Sequence, residues 1–311
     1  MVKRLGSITS LLTPTIISDP MQPHEFTLHT PDGDEPWVVN QQIFDVLVVS
    51  LRPGTIQTPT DAAKVIDQLF PLNRPKEGDQ ENEEPASFLF EMWGVVVDIA
   101  EQIPWNDPQQ DSLVDIIRAL RDLPDSRIVP MGSWGDLQVW ADLPLLGPVL
   151  TETVHAVKVD DTPEAQQVVQ LRQQNFTAFE ARLTKSGLAD RARHFALHHF
   201  REALEQEPDP RSRAYQRQGP RLDVHVPLAV IWILLAGNVV FAHCLEQESN
   251  ASITDVSRGE RTTDTFSLQR WKAWKKSFEE IGAGDHASEK TKGLAGEALR
   301  AMERIESRKD M

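Results

Sequence analysis

Apolar and polar positions alternate along most of this chain with the three-and-four spacing of helices. In "NDPQQDSLVDIIRALRDLP", Leu113, Ile116, Ile117 and Leu120 fall on one face. Asn106 or Asp107 caps that helix, Pro108 sits in its first turn, and Pro124 closes it. "TPTDAAKVIDQLF" is a second clear helix, capped by Thr58 or Thr60 and stopped by Pro71. "WVVNQQIFDVLVVSL" reads as a helix too, although its β-branched run leaves a strand open. A further helix runs from about Ser87 to Gln102, ended by Pro104, and forms a hairpin with the helix after it. In the second half, "DTPEAQQVVQLRQQNFTAFEARLTKSGL" is a long helix capped by Thr162, opened by Pro163 and ended by Gly187. "ADRARHFALHHFREALEQE", the apolar run Val226 to Leu245, "FSLQRWKAWKKSFEEI" and "SEKTKGLAGEALRAMERIESR" complete the set.

Between these stretches the pattern lapses. Residues 1–36 are rich in Thr, Pro and Asp and predict an irregular N-terminal arm. Residues 73–87 are acidic, with Gly and Pro and little to bury, and predict a flexible loop. Residues 125–160 are broken by Pro and Gly around aromatic clusters that include Trp134 and Trp140, and 247–264 is polar. Convincing strands are scarce. The expectation is an all-α fold: one compact multi-helix domain over 37–311, preceded by the arm.

Composition changes the picture in three ways. Net charge is −15, and the excess lies wholly in the first half: residues 1–160 hold 25 acidic and 10 basic residues, residues 161–311 hold 22 of each. Solubility accounts for such a bias; an acidic half that attracts a cation is the functional alternative. Cys244 is the only cysteine, which suits a reducing, cytoplasmic setting. The run Val226–Leu245 is about long enough to cross a bilayer. Its Pro227, Gly237, Asn238 and His243 favour a buried core helix and no membrane.

Candidate chemistry gathers at six places. On one helical stripe Glu91, Gly94 and Asp98 align, continued by Glu101 and Gln102, inside an otherwise apolar segment. The stripe is either a solvent edge or the lining of a site, and buried carboxylates there need a cationic partner. That partner is a substrate guanidinium or ammonium, or one of Arg118, Arg121 and Arg182. "NFTAFEARL" places Asn175, Phe179 and Arg182 on one face beside Glu180, as a substrate site or a core polar network. "HFALHH" sets His194 and His198 one turn apart, with Glu202 a turn further; His198 is a candidate general base, with Glu180 as the other. No third metal ligand is fixed by that spacing, so no metal is expected. The stretch Arg211, Arg213, Tyr215, Arg217 and Arg221 interleaves arginines with the only tyrosine, a pattern that grips phosphates and stacks on a base. Arg270, Lys272, Lys275 and Lys276 with Trp271 and Trp274 are a second such stretch, in which the tryptophans face the core. Finally, "DDTPE" at 160–164, with Asn238, Ala242 and Glu246, resembles the spacing of the two magnesium motifs of helical terpene cyclases, but Ala242 stands where a hydroxyl ligand belongs. There is no GxxxxGK, GxGxxG, GxSxG or zinc-type cysteine pair, so nucleotide cofactors and ordinary serine hydrolysis lack support.

The ordered segments "AEQIPW", "LRDLP", "NFTAFEARL", "FREALE", "IWILLAG" and "LQRWKAWKKSF" resemble a fungal family known only as domain of unknown function 3632, over about Phe88 to Met302. The chain is also similar in size and type to fungal arginine-containing cyclodipeptide synthases, which join amino acids delivered on transfer RNA. None of their catalytic motifs maps onto it. That likeness implies an enzyme of specialised metabolism taking aminoacyl-tRNA, with no cofactor. Glu91, Asp98, Asn175 and Arg182 would bind the small-molecule substrate and the arginine-rich stretch the RNA. A non-catalytic helical interaction module is the alternative, and magnesium-dependent cyclase chemistry a second one.

Overall fold

The computed structural model describes residues 25–30, 35–76, 82–124, 127–153, 155, 162–206, 211, 213, 221–251 and 265–309. Ten helices and one short hairpin make up these residues. Helix α1 spans Val38–Leu51, α2 Pro59–Leu69, α3 Pro85–Gln102 and α4 Gln109–Arg121. Strands β1 (Ile128–Pro130) and β2 (Asp136–Gln138) pair antiparallel, with Val129 opposite Leu137. Helix α5 is Leu146–Glu152 and α6 is Pro163–Lys185. Helix α7 covers 192–205 and is π-helical at Ala192–Ala196, α-helical at Leu197–Phe200 and π-helical again at Arg201–Glu205. Helix α8 is Arg221–Ala251, α9 Leu268–Ala283 and α10 Glu289–Lys309.

Helix starts follow the local chemistry. Thr58 and Asp61 form a reciprocal capping box at α2, and Thr162 accepts the Ala165 amide at α6. Asp107 Oδ1 accepts the Gln109 N–H at 2.8 Å where α4 begins. The β-branched α1 is a helix because its apolar face, including Ile43, Leu47 and Leu51, is buried against α2 and α3. Packing decides what propensity leaves open. Helix α3 begins at Pro85, two residues earlier than its apolar pattern, because proline fits the first helical turn.

Two apolar clusters share one spine. The first is built from α1 to α5, the hairpin and Phe176, Phe179 and Leu183 of α6. The second joins Ala181 of α6 to α7, α8, α9 and α10. Helix α6 is therefore buried all round from Gln174 to Thr184. The apolar run lies within α8, whose Val226, Ala229, Val230, Trp232 and Ile233 belong to the second cluster. Length and hydropathy alone would let Arg221–Glu246 cross a membrane; here it packs against α6 and α10. A kink at Ala236 (φ −129°, ψ 15°) precedes Gly237, where a Cβ would meet Ile305 Cδ1 at 2.7 Å. Glycine there permits the close approach of α10.

The broken region holds a constrained turn. Trp140, Leu143 and Leu145 all have positive φ, at 69°, 44° and 66°. They are held by burial and by two indoles: Trp140 Nε1 donates to Asp67 Oδ1 at 2.7 Å, and Trp93 Nε1 donates to the Pro144 carbonyl at 2.7 Å. Trp134, by contrast, is exposed.

Candidate functional site

The acidic stripe of α3 is closed by the chain's own arginine. Arg172, on α6, donates from Nε to Glu101 Oε2 at 2.8 Å and from Nη2 to Asp98 Oδ1 at 3.1 Å. His155 Nε2 lies 2.8 Å from Glu101 Oε1, and Asn175 Nδ2 donates to the Glu101 carbonyl at 2.7 Å. Asp98 also accepts the His29 amide at 3.0 Å. Glu91 stands apart, accepting from the buried Asn40 at 2.9 Å. A Cβ at Gly94 would meet nothing within 4 Å, so α3 is open at that one position. The guanidinium that these carboxylates require is therefore internal. It is none of the three arginines expected from sequence.

Arg118 and Arg121 instead pair with Asp115 and Asp122. Arg182 is buried inside α6's own network. It donates from Nε to Asp111 Oδ1 at 3.1 Å and from Nη1 to the Trp105 carbonyl at 2.9 Å and Gln110 Oε1 at 3.3 Å. Burial pulls its pKa down, while Asp111 and Asp107 pull the other way. Gln110, fully buried, donates to the carbonyls of Ile103 and Asn175, both at 2.9 Å. "NFTAFEARL" thus places Asn175 and Arg182 in a satisfied core network that ties α6 to α3 and α4. No signal in the sequence marks Gln110 or Arg172 as their partners.

Glu180 is buried at 1 % exposure and faces Arg191, whose Nε lies 3.2 Å from Oε1. Desolvation pushes its carboxyl up to about 8 against the opposing pull of Arg191. Arg191 is itself anchored by Thr151 Oγ1 at 3.2 Å and lies over the Phe195 ring at 4.2 Å. A carboxyl so enclosed meets no solvent-borne substrate in this conformation.

On α7 the wide π turns shift the register expected for an α-helix. His194 and His198 are exposed; His199 is the buried histidine, and its Nδ1 accepts from Trp232 Nε1 at 3.0 Å. Burial, helped by His198 and His225, pulls its pKa down to about 3, so it is neutral. Burial and Arg221 pull His225 down to about 4. Among the described residues no three His, Cys, Asp or Glu side chains are grouped to hold a metal ion.

A cleft of about 420 Å³ opens where α7 ends, α8 begins and α9 turns into α10. Leu204, Leu222 and Ile281 give it an apolar floor; Glu205, Ser277, Glu280 and His286 supply polar groups. The Glu205 carboxylate is taken by Arg270, at 2.8 Å to each oxygen, and by the Trp274 indole N–H at 2.7 Å. Glu280 pairs with the exposed Lys276 at 3.2 Å, a pair that contributes little in water. Gln206 and Leu222, which flank the arginine-rich stretch in sequence, both line the cleft. Of the arginine-rich stretch, Arg211 and Arg213 are exposed, and Tyr215 and Arg217 lie outside the described residues. Arg221 is tied to the chain: it donates to the Glu202 carbonyl at 3.1 Å and Gln206 Oε1 at 2.7 Å, and pairs with the Glu202 carboxylate. In the second stretch Trp271 and Trp274 are buried as expected, Lys275 pairs with Glu306, and Lys272 and Lys276 are exposed. Of the cyclase-like positions, Asp160 and Asp161 lie outside the described residues, while Asn238, Ala242 and Glu246 are exposed on α8.

No curated protein and no solved structure matches the chain. A family model described as "Protein of unknown function (DUF3632)" matches residues 93–278, from the middle of α3 to Phe278 in α9. That span takes in the α3–α6 network, the buried α7 histidine and most of the cleft's elements, and it covers more than half of the sequence. The chain therefore belongs to the DUF3632 family.

Proposed function

We propose that this protein is an enzyme of fungal specialised metabolism that forms an arginine-containing cyclodipeptide by acyl transfer from aminoacyl-tRNA. The observation that supports this reading is the position of the cleft. A cavity of about 420 Å³ is of a size that holds an aminoacyl group, and Gln206 and Leu222, which flank the arginine-rich stretch in sequence, both line it. The amino-acid end would lie in the cleft with its guanidinium toward Glu280, and the RNA phosphates would meet Arg211 and Arg213. His286, on the cleft wall, replaces His198 and Glu180 as the candidate base. The chemistry needs no nucleotide. The amine of one aminoacyl ester loses a proton to the base and attacks the ester carbonyl of a second. The first released tRNA takes the proton on its terminal hydroxyl. The free amine of the dipeptidyl ester then attacks its own ester carbonyl, closing the ring and releasing the second tRNA.

A non-catalytic interaction module is the second reading. It is favoured by one observation: Glu91, Asp98, Asn175, Arg182 and Glu180 all have partners within the chain. Expression in a bacterial host separates the two. A new arginine-containing cyclodipeptide in the extract, missing from the empty-vector control and from His286→Asn, supports the enzyme. Unchanged extracts from soluble, folded protein favour the module.

A further inference from the structure

Residues 25–30 have no regular secondary structure and lie across α3, about seventy positions away in sequence, where they are held as a bound peptide is held. Burial alternates along them: Phe26, Leu28 and Thr30 are half-buried, while Glu25, Thr27 and His29 are exposed. Phe26 and Leu28 pack on the first apolar cluster. Gln102 takes both backbone groups of Thr27: the Thr27 N–H donates to Oε1 at 2.9 Å and Nε2 donates to the Thr27 carbonyl at 2.7 Å. One helical turn earlier, Asp98 Oδ2 accepts the His29 N–H at 3.0 Å, and the His29 ring Nδ1 lies 2.8 Å from Oδ1.

A helix cannot offer its own backbone to a passing strand, because its N–H and C=O groups are used internally. Here an amide and a carboxylate four residues apart, on one face, stand in for the edge strand that usually reads an extended peptide. The backbone contacts depend little on the peptide's sequence. The Phe-x-Leu spacing adds selectivity, since side chains two apart point the same way. Beside this surface sits Arg172, one-third exposed and bonded to the same Asp98 that holds the arm.

We propose that Asp98, Gln102 and the adjoining apolar surface form a groove for an extended Phe-x-Leu segment, and that residues 26–29 are its resident, displaceable ligand. The arm is then a strap in equilibrium between docked and released states, and release opens the Asp98–Arg172 edge. A peptide in trans competes with the docked arm, so its apparent affinity is lowered by the small fraction of empty grooves.

Two measurements on the full chain test this. In hydrogen exchange on the unaltered protein, the Thr27 and His29 amides should exchange at least about 100-fold faster than those of Val96 to Ala100, because the strap opens without the domain. Equal protection would make the arm an integral part of the fold and overturn the proposal. Second, a fluorescein-labelled peptide with the sequence of residues 24–31 is titrated by anisotropy. The Phe26→Asp/Leu28→Asp chain should bind it at least about tenfold more tightly than the unaltered chain. Adding Gln102→Ala should abolish that gain. No gain in the double variant, or a gain indifferent to Gln102→Ala, overturns the groove. If the double variant does not fold, the exchange result decides.

Discussion

Replacing Arg172 with methionine tests whether the acidic stripe of α3 is a closed structural network. The change keeps much of the side chain's apolar length but removes the guanidinium. Asp98 and Glu101, with side chains 11 % and 10 % exposed, then lose their shared cation, although Glu101 keeps His155. Breaking a fully buried pair costs about 3–5 kcal/mol, and an exposed pair contributes about 0–1 kcal/mol. Arg172 is 34 % exposed, so the screened value lies between, at about 2 kcal/mol. For a chain of this length that corresponds to a fall in Tm of about 3 °C. Urea unfolding of the wild type, Arg172→Met, Glu101→Gln and the double variant gives the coupling directly. A structural network predicts non-additivity of about 1 kcal/mol, since both single changes remove the same contact. Additivity within about 0.3 kcal/mol, or a loss below about 0.5 kcal/mol for Arg172→Met, refutes the reasoning and returns Arg172 to the solvated surface.

Three further outcomes follow from buried titratable groups. His199 has a folded pKa near 3, below its unfolded value of about 6.5, so the unfolded chain takes up a proton first as pH falls through 6.5 and stability is lost on the acid side. His199→Asn keeps an acceptor for Trp232 but cannot titrate; between pH 7 and 5.5 the wild type should lose about 1 kcal/mol relative to it in urea unfolding, and no pH-dependent difference contradicts a neutral buried His199. Glu180 acts with the opposite sign: its folded pKa is raised to about 8, so its contribution weakens as pH rises from about 4.5 towards 8. Glu180→Gln should therefore gain on the wild type as pH rises from 5 to 8, whereas a flat difference means that Glu180 stays ionised against Arg191. Cys244 is buried and its thiol is pushed up to about 12, so native protein should resist a thiol-alkylating reagent that labels it fully in urea; rapid native labelling would show the α8 packing to be open.

Much of the fold is legible in the sequence because helices are local. The period of Leu113, Ile116, Ile117 and Leu120 gives α4, and Thr58 and Thr162 mark helix starts whose free amides they satisfy. The site is less legible because its partners are distant. Glu101 and Arg172 stand 71 residues apart, as do Asp111 and Arg182. A stripe of carboxylates reveals the need for a cation but not which cation supplies it. The buried histidine is hard to read for a different reason. Counting in α-helical turns aligns His194, His198 and Glu202, yet α7 is π-helical on both sides of His198, and His199 is the residue turned inward to Trp232. The cleft was invisible because the residues lining it, from Ala203 to Ala287, come from three helices and a turn.

The proposed placement of function at the cleft, and not at the α3 stripe, is tested most directly by comparing bacterial extracts from three chains. These are the wild type, Asp98→Asn, and Ser277→Phe, which fills the cleft. The account predicts an arginine-containing cyclodipeptide from the wild type and from Asp98→Asn, and its loss from soluble, folded Ser277→Phe. Product lost with Asp98→Asn but retained with Ser277→Phe would put the chemistry at the stripe and contradict the account.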